Sequence, residues 1–253
     1  MKIRFLGTGT STGVPEIACQ CKVCTSTDIR DKRLRSSMLV EVEHRNILID
    51  CGPDFRFQML RSGITRLDGV LLTHEHYDHV SGLDDLRPFS RERNVDVYAE
   101  WPVVKAIETH IIPYAFAAHK YPGLPEISIH TIDVKHPFQI DGVTVVPIRV
   151  IHGEMPILGY RIGNMAYLTD LKYIPDEEYA KMEALDVLII SALREREHIS
   201  HQTLSQALEK IERINPRCTY LIHMSHHFGL HADMEKRLPK SVHIAYDGLS
   251  VEI

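Results

Sequence analysis

Short runs rich in β-branched and aliphatic residues recur along the whole chain and predict a protein with many strands. Several of them end abruptly in a polar residue or a turn signal, as strands of a buried sheet do. In chain order the runs read IRF, SSMLVEV, NILID, GVLLT, VDVYA, ISIHTID, VTVVPIRVI, ILGYRI, MAYLT, DVLII, CTYLIHM and HIAYD.

A smaller number of amphipathic patterns predicts helices. The clearest is HQTLSQALEKIERI at 201–214, where the apolar residues fall on one face and Asn215-Pro216 ends the pattern. Weaker patterns predict shorter helices over 54–60, 101–110 and 175–185. Strands interleaved with amphipathic helices indicate layers of sheet covered by helices, which places the chain in the α/β class.

The bulk composition is that of an ordinary globular protein and excludes some classes of function. The chain is 44% hydrophobic and 25% charged, and no apolar run approaches the roughly 20 residues of a membrane span. The start, MKIRFLGTGT, has too short an apolar core for a secretory signal, so we expect a cytoplasmic protein. The net charge of -5 and the scattered basic residues argue against a nucleic-acid partner.

No linker, low-complexity segment or internal repeat interrupts the chain, so we expect 1–253 to form a single domain. One stretch, 111–125, reads IIPYAFAAHKYPGLP and resists assignment. Its aromatic residues and prolines suit a lid over a site as well as they suit a packed surface loop.

The stretch HEHYDH at 74–79 follows the apolar run GVLLT and is dense in metal-ligand side chains. Residues two apart on an extended backbone point the same way, so His74 and His76 can converge on one point. The chain must then turn, which brings Asp78 and His79 toward a second point nearby. We therefore predict two neighbouring metal positions.

Two metals need more ligands than this stretch supplies, and other strand ends offer them. His152 ends VTVVPIRVIH, Asp170 follows MAYLT, and His223 follows CTYLI. Each is a single ligand-type residue at the end of an apolar run, which repeats the placement inferred for His74.

These motifs resemble those of the metallo-β-lactamase superfamily, and the resemblance spans nearly the whole chain. HEHYDH is similar to its H-x-H-x-D-H motif, and VIHGE, LTD and LIHMSH are similar to its third, fourth and fifth motifs. The resemblance implies a four-layer αβ/βα sandwich and two metals at the catalytic site. It implies one metal held by His74, His76 and His152, a second held by Asp78, His79 and His223, and Asp170 bridging both.

The aspartate at position 170 narrows the activity that the resemblance implies. β-Lactamases of this superfamily use a cysteine at the corresponding place or lack the bridging carboxylate, whereas phosphodiesterase and thioesterase branches carry an aspartate. The sequence therefore disfavours hydrolysis of antibiotics.

A second cluster, Cys19, Cys21 and Cys24, lies in a loop at about 15–28. Taken alone, C-x-C-x-x-C leaves open a zinc knuckle one ligand short, free thiols, or part of an iron-sulfur ligand set. The segment GTGTSTGVPEIACQCKVC resembles the opening of cyclic phosphodiesterases of the phosphonate-degradation type. That resemblance implies a structural zinc, completed by His226, three residues after the fifth-motif histidine.

The implied reaction is hydrolysis of a small phosphodiester, such as a ribosyl 1,2-cyclic phosphate or a 2′,3′-cyclic nucleotide. The nucleophile would be a hydroxide bridging two zinc or manganese ions, with Asp78 counted among the catalytic residues. In this branch a histidine before the helix at 201–214 serves as acid or phosphate contact. His201 fits that place best and His198 is the alternative; analogy suggests a homodimer.

Three other functions remain open at this point. The first is a role like that of quinone-cofactor biosynthesis protein B, because similar proteins in that pathway have the same cysteine loop. Processing of tRNA 3′ ends belongs to the same superfamily, although the chain has no Gly-rich basic insertion to grip RNA. A zinc-binding module without turnover is the third alternative.

Overall fold

A computed structural model describes residues 1–119 and 121–253, in which two seven-stranded mixed sheets pack face to face. In spatial order, the first sheet contains β14 (Ser250–Glu252), β1 (Lys2–Gly7), β2 (Ser37–Val42), β3 (Arg45–Ile49), β4 (Gly69–Leu71), β5 (Val95–Ala99) and β6 (Ile127–Thr131). The second contains β13 (Val242–Ile244), β12 (Cys218–Ile222), β11 (Val187–Ser191), β10 (Met165–Leu168), β9 (Met155–Ile162), β8 (Val143–His152) and β7 (Phe138–Ile140).

Helices cover the outer face of each sheet. The α-helices are α1 (Phe55–Ser62), α2 (Tyr77–Val80), α3 (Trp101–Ala106), α4 (Leu204–Ile214) and α5 (His231–Glu235). Short 3₁₀-helices span Ile29–Asp31, Leu83–Leu86, Pro113–Phe116 and Asp176–Met182, and a π-helical turn, Ile107–Ile111, extends α3. The predicted four-layer αβ/βα sandwich is confirmed.

Alternation along the strands divides the core into three apolar layers. In β2, Leu39 faces the helices of its own sheet, while Met38 and Val40 face the opposite sheet. Because successive strand side chains point to opposite faces, both faces of a central strand are buried. Tyr160 and Tyr167 are fully buried in the layer between the sheets, and Tyr160 donates its hydroxyl to the carbonyl of Leu72.

Parallel pairing puts several strand ends at one edge of the sandwich. Strands β3 to β6 run parallel in the first sheet, and β10 to β13 run parallel in the second. The two sheets are joined near this edge, where Leu158 donates its backbone N–H to the carbonyl of Thr73. The segments that follow β4, β8, β10 and β12 meet there.

Helix α4 begins three residues later than the sequence pattern suggests. Thr203 is its N-cap and forms a reciprocal capping box with Gln206, which fixes the first helical residue at Leu204. His201 therefore lies in the loop that precedes the helix. The longest helix, α4, has 11 residues, and no helix in the described residues is long and apolar enough to cross a membrane.

Two other expectations change in detail. The helix expected over 175–185 is a 3₁₀-helix, Asp176–Met182, that follows Pro175. The described part of 111–125 packs against the turn Leu83–Leu86, where the Tyr114 hydroxyl donates to Asp84. Lys120, within that stretch, lies outside the described residues.

Candidate metal centre

The structure brings together all seven side chains that the sequence places at a dinuclear centre. They form two groups that share Asp170, and within each group the nitrogen and oxygen ligand atoms lie within 4.8 Å of one another. The first group is His74, His76, His152 and Asp170, and the second is Asp78, His79, Asp170 and His223.

The HEHYDH stretch folds as its spacing predicts. After β4 the backbone stays extended through His76, and the rings of His74 and His76 lie 4.6 Å apart between centroids. Helix α2 then begins at Tyr77, so that Asp78 and His79 occupy its first turn. The backbone of Gly52 lies against this turn, because a Cβ on Gly52 would sit 1.9 Å from the carbonyl oxygen of Asp78.

Asp170 directs one carboxylate oxygen to each group. Its Oδ2 lies 3.9 Å from His74 Nε2, while its Oδ1 lies 3.3 Å from His79 Nε2 and 3.1 Å from His223 Nε2. Both Asp170 and His223 adopt left-handed backbone, with φ of 52° and 59°. Such conformations cost roughly 1–3 kcal/mol in a non-glycine residue and persist where the surroundings enforce them.

Asp50 is a site residue that the sequence analysis missed. It follows β3, is fully buried, and accepts hydrogen bonds from His79 Nδ1 at 2.7 Å and from the Thr73 backbone N–H at 2.9 Å. The run NILID ends in this carboxylate just as MAYLTD ends in Asp170, so the same strand-end signal could have found it.

Three buried histidines have their Nδ1 atoms engaged on the side away from the centre. His79 donates to Asp50, and His152 donates to the carbonyl of Ser200 at 3.0 Å. His74 Nδ1 lies 2.9 Å from Thr73 Oγ1, and because that hydroxyl donates to Asp50, the imidazole N–H is the donor. These bonds fix the ring orientations and leave the Nε2 lone pairs facing the centre.

Several of the inward-facing atoms are buried and have no hydrogen-bond partner among the described residues. They are His74 Nε2, His79 Nε2, His223 Nε2 and Asp78 Oδ2. Buried polar atoms in folded proteins are normally paired, so a cluster of unpaired nitrogen and oxygen atoms of this type needs a partner. Imidazole nitrogens and carboxylate oxygens converging on two points fit divalent metal ions.

The charges of the centre are strongly coupled. Burial alone lowers the pKa of His79, yet the carboxylates of Asp170, Asp78 and Asp50 outweigh burial and raise that pKa well above its usual range. Burial, assisted by the neighbouring His79, holds the pKa of His74 well below its usual range. The protein thus gathers negative charge around these imidazoles, which favours a cation at this position.

His201 lies directly over the two groups. Its ring centroid is 4.5 Å from that of His152 and 5.1 Å from that of His223, whereas His198 stands behind it at 5.0 Å. Burial, with His223 adding to it, lowers the pKa of His201 to about 3. The lowered pKa keeps the His201 imidazole neutral near pH 7.

The loop that carries both histidines is anchored on the second sheet. Lys172 donates its ammonium to Glu197 and to the carbonyl of His198, each at 2.9 Å. The Ser200 carbonyl accepts from the backbone of Gly153 as well as from the His152 ring. The loop therefore holds His201 in place and orients His152.

A third cluster comprises Cys19, Cys21, Cys24 and His226, whose ligand atoms also lie within 4.8 Å of one another. His226 Nδ1 lies 3.3 Å from Cys24 Sγ, and its Nε2 lies 2.9 Å from Nε2 of the exposed His227. Three thiols and one imidazole are a donor set that fits a closed tetrahedral zinc site.

Comparison with known proteins gives the family. The model of the β-lactamase superfamily domain matches residues 45–224, which include all seven side chains of the centre. The chain belongs to the metallo-β-lactamase superfamily. Within it, the chain is 38% identical to a diphosphatase of the PhnP family whose crystal structure superposes with a TM-score of 0.93, covering 100% of this chain and 96% of the other. This identity and coverage place the chain in the PhnP family within the superfamily.

Two further proteins that resemble this chain have different names and functions from the diphosphatase. An octanoyltransferase of Porphyromonas gingivalis is 48% identical over 255 residues, which are 100% of this chain and 52% of that protein. The chain therefore spans about half the length of that curated relative. Zinc-bound PqqB of Methylobacterium extorquens superposes with a TM-score of 0.81 over 100% of both chains, and at 20% identity it shows the shared fold alone.

Proposed function

We propose that the protein is a phosphodiesterase that uses two divalent metals to hydrolyse a small cyclic phosphodiester. The observation that carries the proposal is the placement of Asp170, with one carboxylate oxygen facing each of two groups of ligand-type side chains. This is the arrangement expected for a pair of metal ions held by a shared carboxylate.

In this proposal one metal is held by His74, His76 and His152, the other by Asp78, His79 and His223, and Asp170 contacts both. Zinc and manganese both suit this mixture of imidazole and carboxylate ligands. Two such cations supply an ionised water at neutral pH and neutralise the charge that develops on the phosphoryl group. A structural zinc in the cysteine cluster completes the inventory at three metals.

The side chains around the centre have separate tasks. Asp50, Thr73 and the Ser200 carbonyl hold the rings of His79, His74 and His152 in orientation through their Nδ1 atoms. His201 donates a hydrogen bond to a phosphoryl or leaving-group oxygen. Since its pKa is lowered to about 3, it acts as a neutral donor and not as a reservoir of an extra proton.

Two observations bear on the substrate class: the first narrows it to phosphodiesters and thioesters, and the second favours a phosphoryl compound. The carboxylate at position 170 matches the phosphodiesterase and thioesterase branches, and the 38% identical PhnP-family relative is a diphosphatase. Octanoyl transfer is named for a relative of twice this length, so an octanoyl thioester is included as a competing substrate in the test.

The test is a substrate panel on protein stripped of metal and reloaded with zinc or manganese. The panel contains bis(p-nitrophenyl) phosphate, a 2′,3′-cyclic nucleotide, a ribosyl 1,2-cyclic phosphate, a nucleoside diphosphate and an octanoyl thioester. We expect turnover of a cyclic phosphodiester, and Asp170→Asn serves as the matched inactive variant. Turnover of the thioester with no phosphoesterase activity would overturn the proposal.

The same preparation separates the remaining alternatives. About three metals per chain support a hydrolytic centre plus a structural zinc, whereas a single tightly bound zinc supports a binding module. Salt-dependent binding and cleavage of a tRNA precursor would support RNA processing. A fully metallated protein inert toward every phosphoester would support a role in quinone-cofactor biosynthesis.

A further inference from the structure

We propose that metal binding at the cysteine cluster positions His223, so that the structural site and the catalytic centre are energetically coupled. The inference rests on the dinuclear centre proposed above and adds to it a communication path of four residues, 223–226. Two predicted metal ligands, His223 and His226, stand at the two ends of that path.

The middle of the path is clamped to the N-terminal loop. Met224 is fully buried, donates its backbone N–H to the carbonyl of Thr8 at 3.1 Å, and accepts from the N–H of Thr10 at 3.1 Å. The residue after His223 is therefore paired like a short strand with the segment that leads into the cysteine loop.

The cysteine cluster closes this connection into a ring. From Thr10 the chain runs on to Cys24, whose Sγ lies 3.3 Å from His226 Nδ1. Met224 lies two residues before His226, and its carbonyl accepts from the N–H of Thr10, which completes the circuit. Every link of the ring is covalent or a backbone hydrogen bond, except the one between the thiols and His226. A metal at the cluster supplies that link.

His223 depends on this backbone support more than the other buried ligands do. His74, His79 and His152 each have a hydrogen-bond partner on Nδ1, but both ring nitrogens of His223 lack a partner among the described residues. Its φ of 59° is also a conformation that must be enforced by the surroundings. The position of the His223 imidazole is thus set by the backbone that follows it, through the bonds of Met224 and through the Ser225 N–H, which donates to the carbonyl of Leu193. The cysteine cluster holds the far end of this segment at His226.

Opening the ring at the cysteine cluster leaves His223 free to relax from the left-handed conformation. The metal position of Asp78, His79 and His223 then loses a preorganised ligand, while the position of His74, His76 and His152 keeps its own anchors. Coupling of this kind is reciprocal, because each site changes the affinity of the other by the same factor.

The first experiment compares metal affinities in Cys24→Ser and wild type, using a competing chromophoric chelator, with Cys218→Ser as the matched control. We expect Cys24→Ser to bind one catalytic metal about 5- to 150-fold more weakly, the usual range of coupling between sites, and the other unchanged. Cadmium-113 NMR resolves a thiolate-rich site from two nitrogen- and oxygen-ligated sites, so it identifies which signal is lost. His226→Cys alone replaces the imidazole with a fourth thiolate and still closes the zinc site, so it is expected to keep both affinities at the wild-type values.

The second experiment needs no substitution. In wild-type protein, the affinity of the cysteine cluster for zinc is measured with the catalytic centre loaded and with it emptied by a weak chelator. A higher affinity in the loaded protein, by the same factor as above, supports the coupling. Equal affinities, or a folded Cys24→Ser protein that binds both catalytic metals as wild type does, would overturn it. Neither measurement uses turnover, so coupling in a protein inert toward phosphodiesters would refute the proposed function alone.

Discussion

Asp50 and His79 are 29 positions apart in the chain, and the imidazole Nδ1 donates to the aspartate Oδ2 at 2.7 Å. The same carboxylate accepts from the hydroxyl of Thr73, which in turn accepts from the ring of His74. One buried aspartate therefore orients a histidine in each of the two metal groups, although it faces neither metal position itself.

Replacing this carboxylate should weaken both metal positions. We expect Asp50→Asn to lower affinity for the catalytic metals by about 10- to 100-fold, as removal of a partner of a ligating histidine commonly does. Competition with a chromophoric chelator measures it. Asp96→Asn is the matched control, since Asp96 pairs with the exposed His130 at the same 2.7 Å far from the centre. Equal effects of the two substitutions would contradict the role of Asp50.

The two histidines of the loop before α4 should differ in their contribution to catalysis. His201→Ala is expected to lower kcat by about 10²- to 10³-fold with the metal content unchanged, because it removes a preorganised hydrogen-bond donor over the centre. His198→Ala removes a similar ring farther out and should cost much less. If only His198→Ala impaired turnover, the assignment would pass to His198.

The pH dependence of that contribution follows from the lowered pKa of His201. With a pKa of about 3, reduced further by any bound cation, the ring stays neutral from pH 5 to pH 8. The ratio of wild-type to His201→Ala kcat should therefore stay constant over this range. A ratio that falls steeply above pH 6.5 would indicate a protonated imidazole as the working form.

Gly52 should not tolerate even a methyl group. A Cβ at this position would lie 1.9 Å from the Asp78 carbonyl oxygen and 2.9 Å from its carbonyl carbon, so the first turn of α2 must move. We expect Gly52→Ala to cost about 1–3 kcal/mol of stability and to weaken metal binding. Thermal unfolding with and without metal measures both. Gly123→Ala, where a Cβ meets nothing within 4 Å, should leave metal binding intact.

His231 should make the protein less stable in mild acid. Its Nδ1 lies 3.4 Å from Arg33 Nη2, and burial, followed by the charges of Arg33 and Arg30, lowers its pKa to about 4. Because the folded pKa lies below the unfolded value of about 6.5, the stabilising contribution is complete above pH 6.5 and is lost as the pH falls toward 4.

The matched variant is His231→Gln, which keeps an acceptor for Arg33 but cannot be protonated. Between pH 6.5 and 4, Tm of wild type should fall further than Tm of the variant, by about 2–4 °C for each kcal/mol in a chain of this size. The acidic neighbours Asp28, Asp31 and Glu235 are present in both proteins, so the difference isolates the histidine. Parallel Tm curves would show that His231 does not titrate in this way.

The sequence predicts those parts of the fold and of the candidate centre that are marked by a short local pattern of residues. Buried strands such as β8 and β11 appear as β-branched runs. Ligand-type residues end β8 and follow β10 and β12, and these strand ends meet at one edge. His152, Asp170 and His223 were found in this way although they are separated by long stretches of chain.

Other features depend on contacts that no short pattern contains. Strands β7 and β14 have three residues each, too few to show alternation, and they exist because β8 and β1 offer them an edge. Asp50 carries the same strand-end signal as Asp170, but its role as a partner of Thr73 and His79 is visible only when those residues are placed around it. The boundary of α4 was readable, since T-x-x-Q at 203–206 is a capping-box pattern.

The Ser200 carbonyl accepts a hydrogen bond from the His152 ring, so the loop that carries Ser200 cannot move without affecting His152. A segment that swung aside to admit a molecule would have to release this bond and let a predicted metal ligand turn. The wall formed by 198–201 is therefore fixed rather than hinged. For the proposed reaction we therefore expect substrate to enter from the open side, past the exposed His76 and Tyr77, without a gate at this wall.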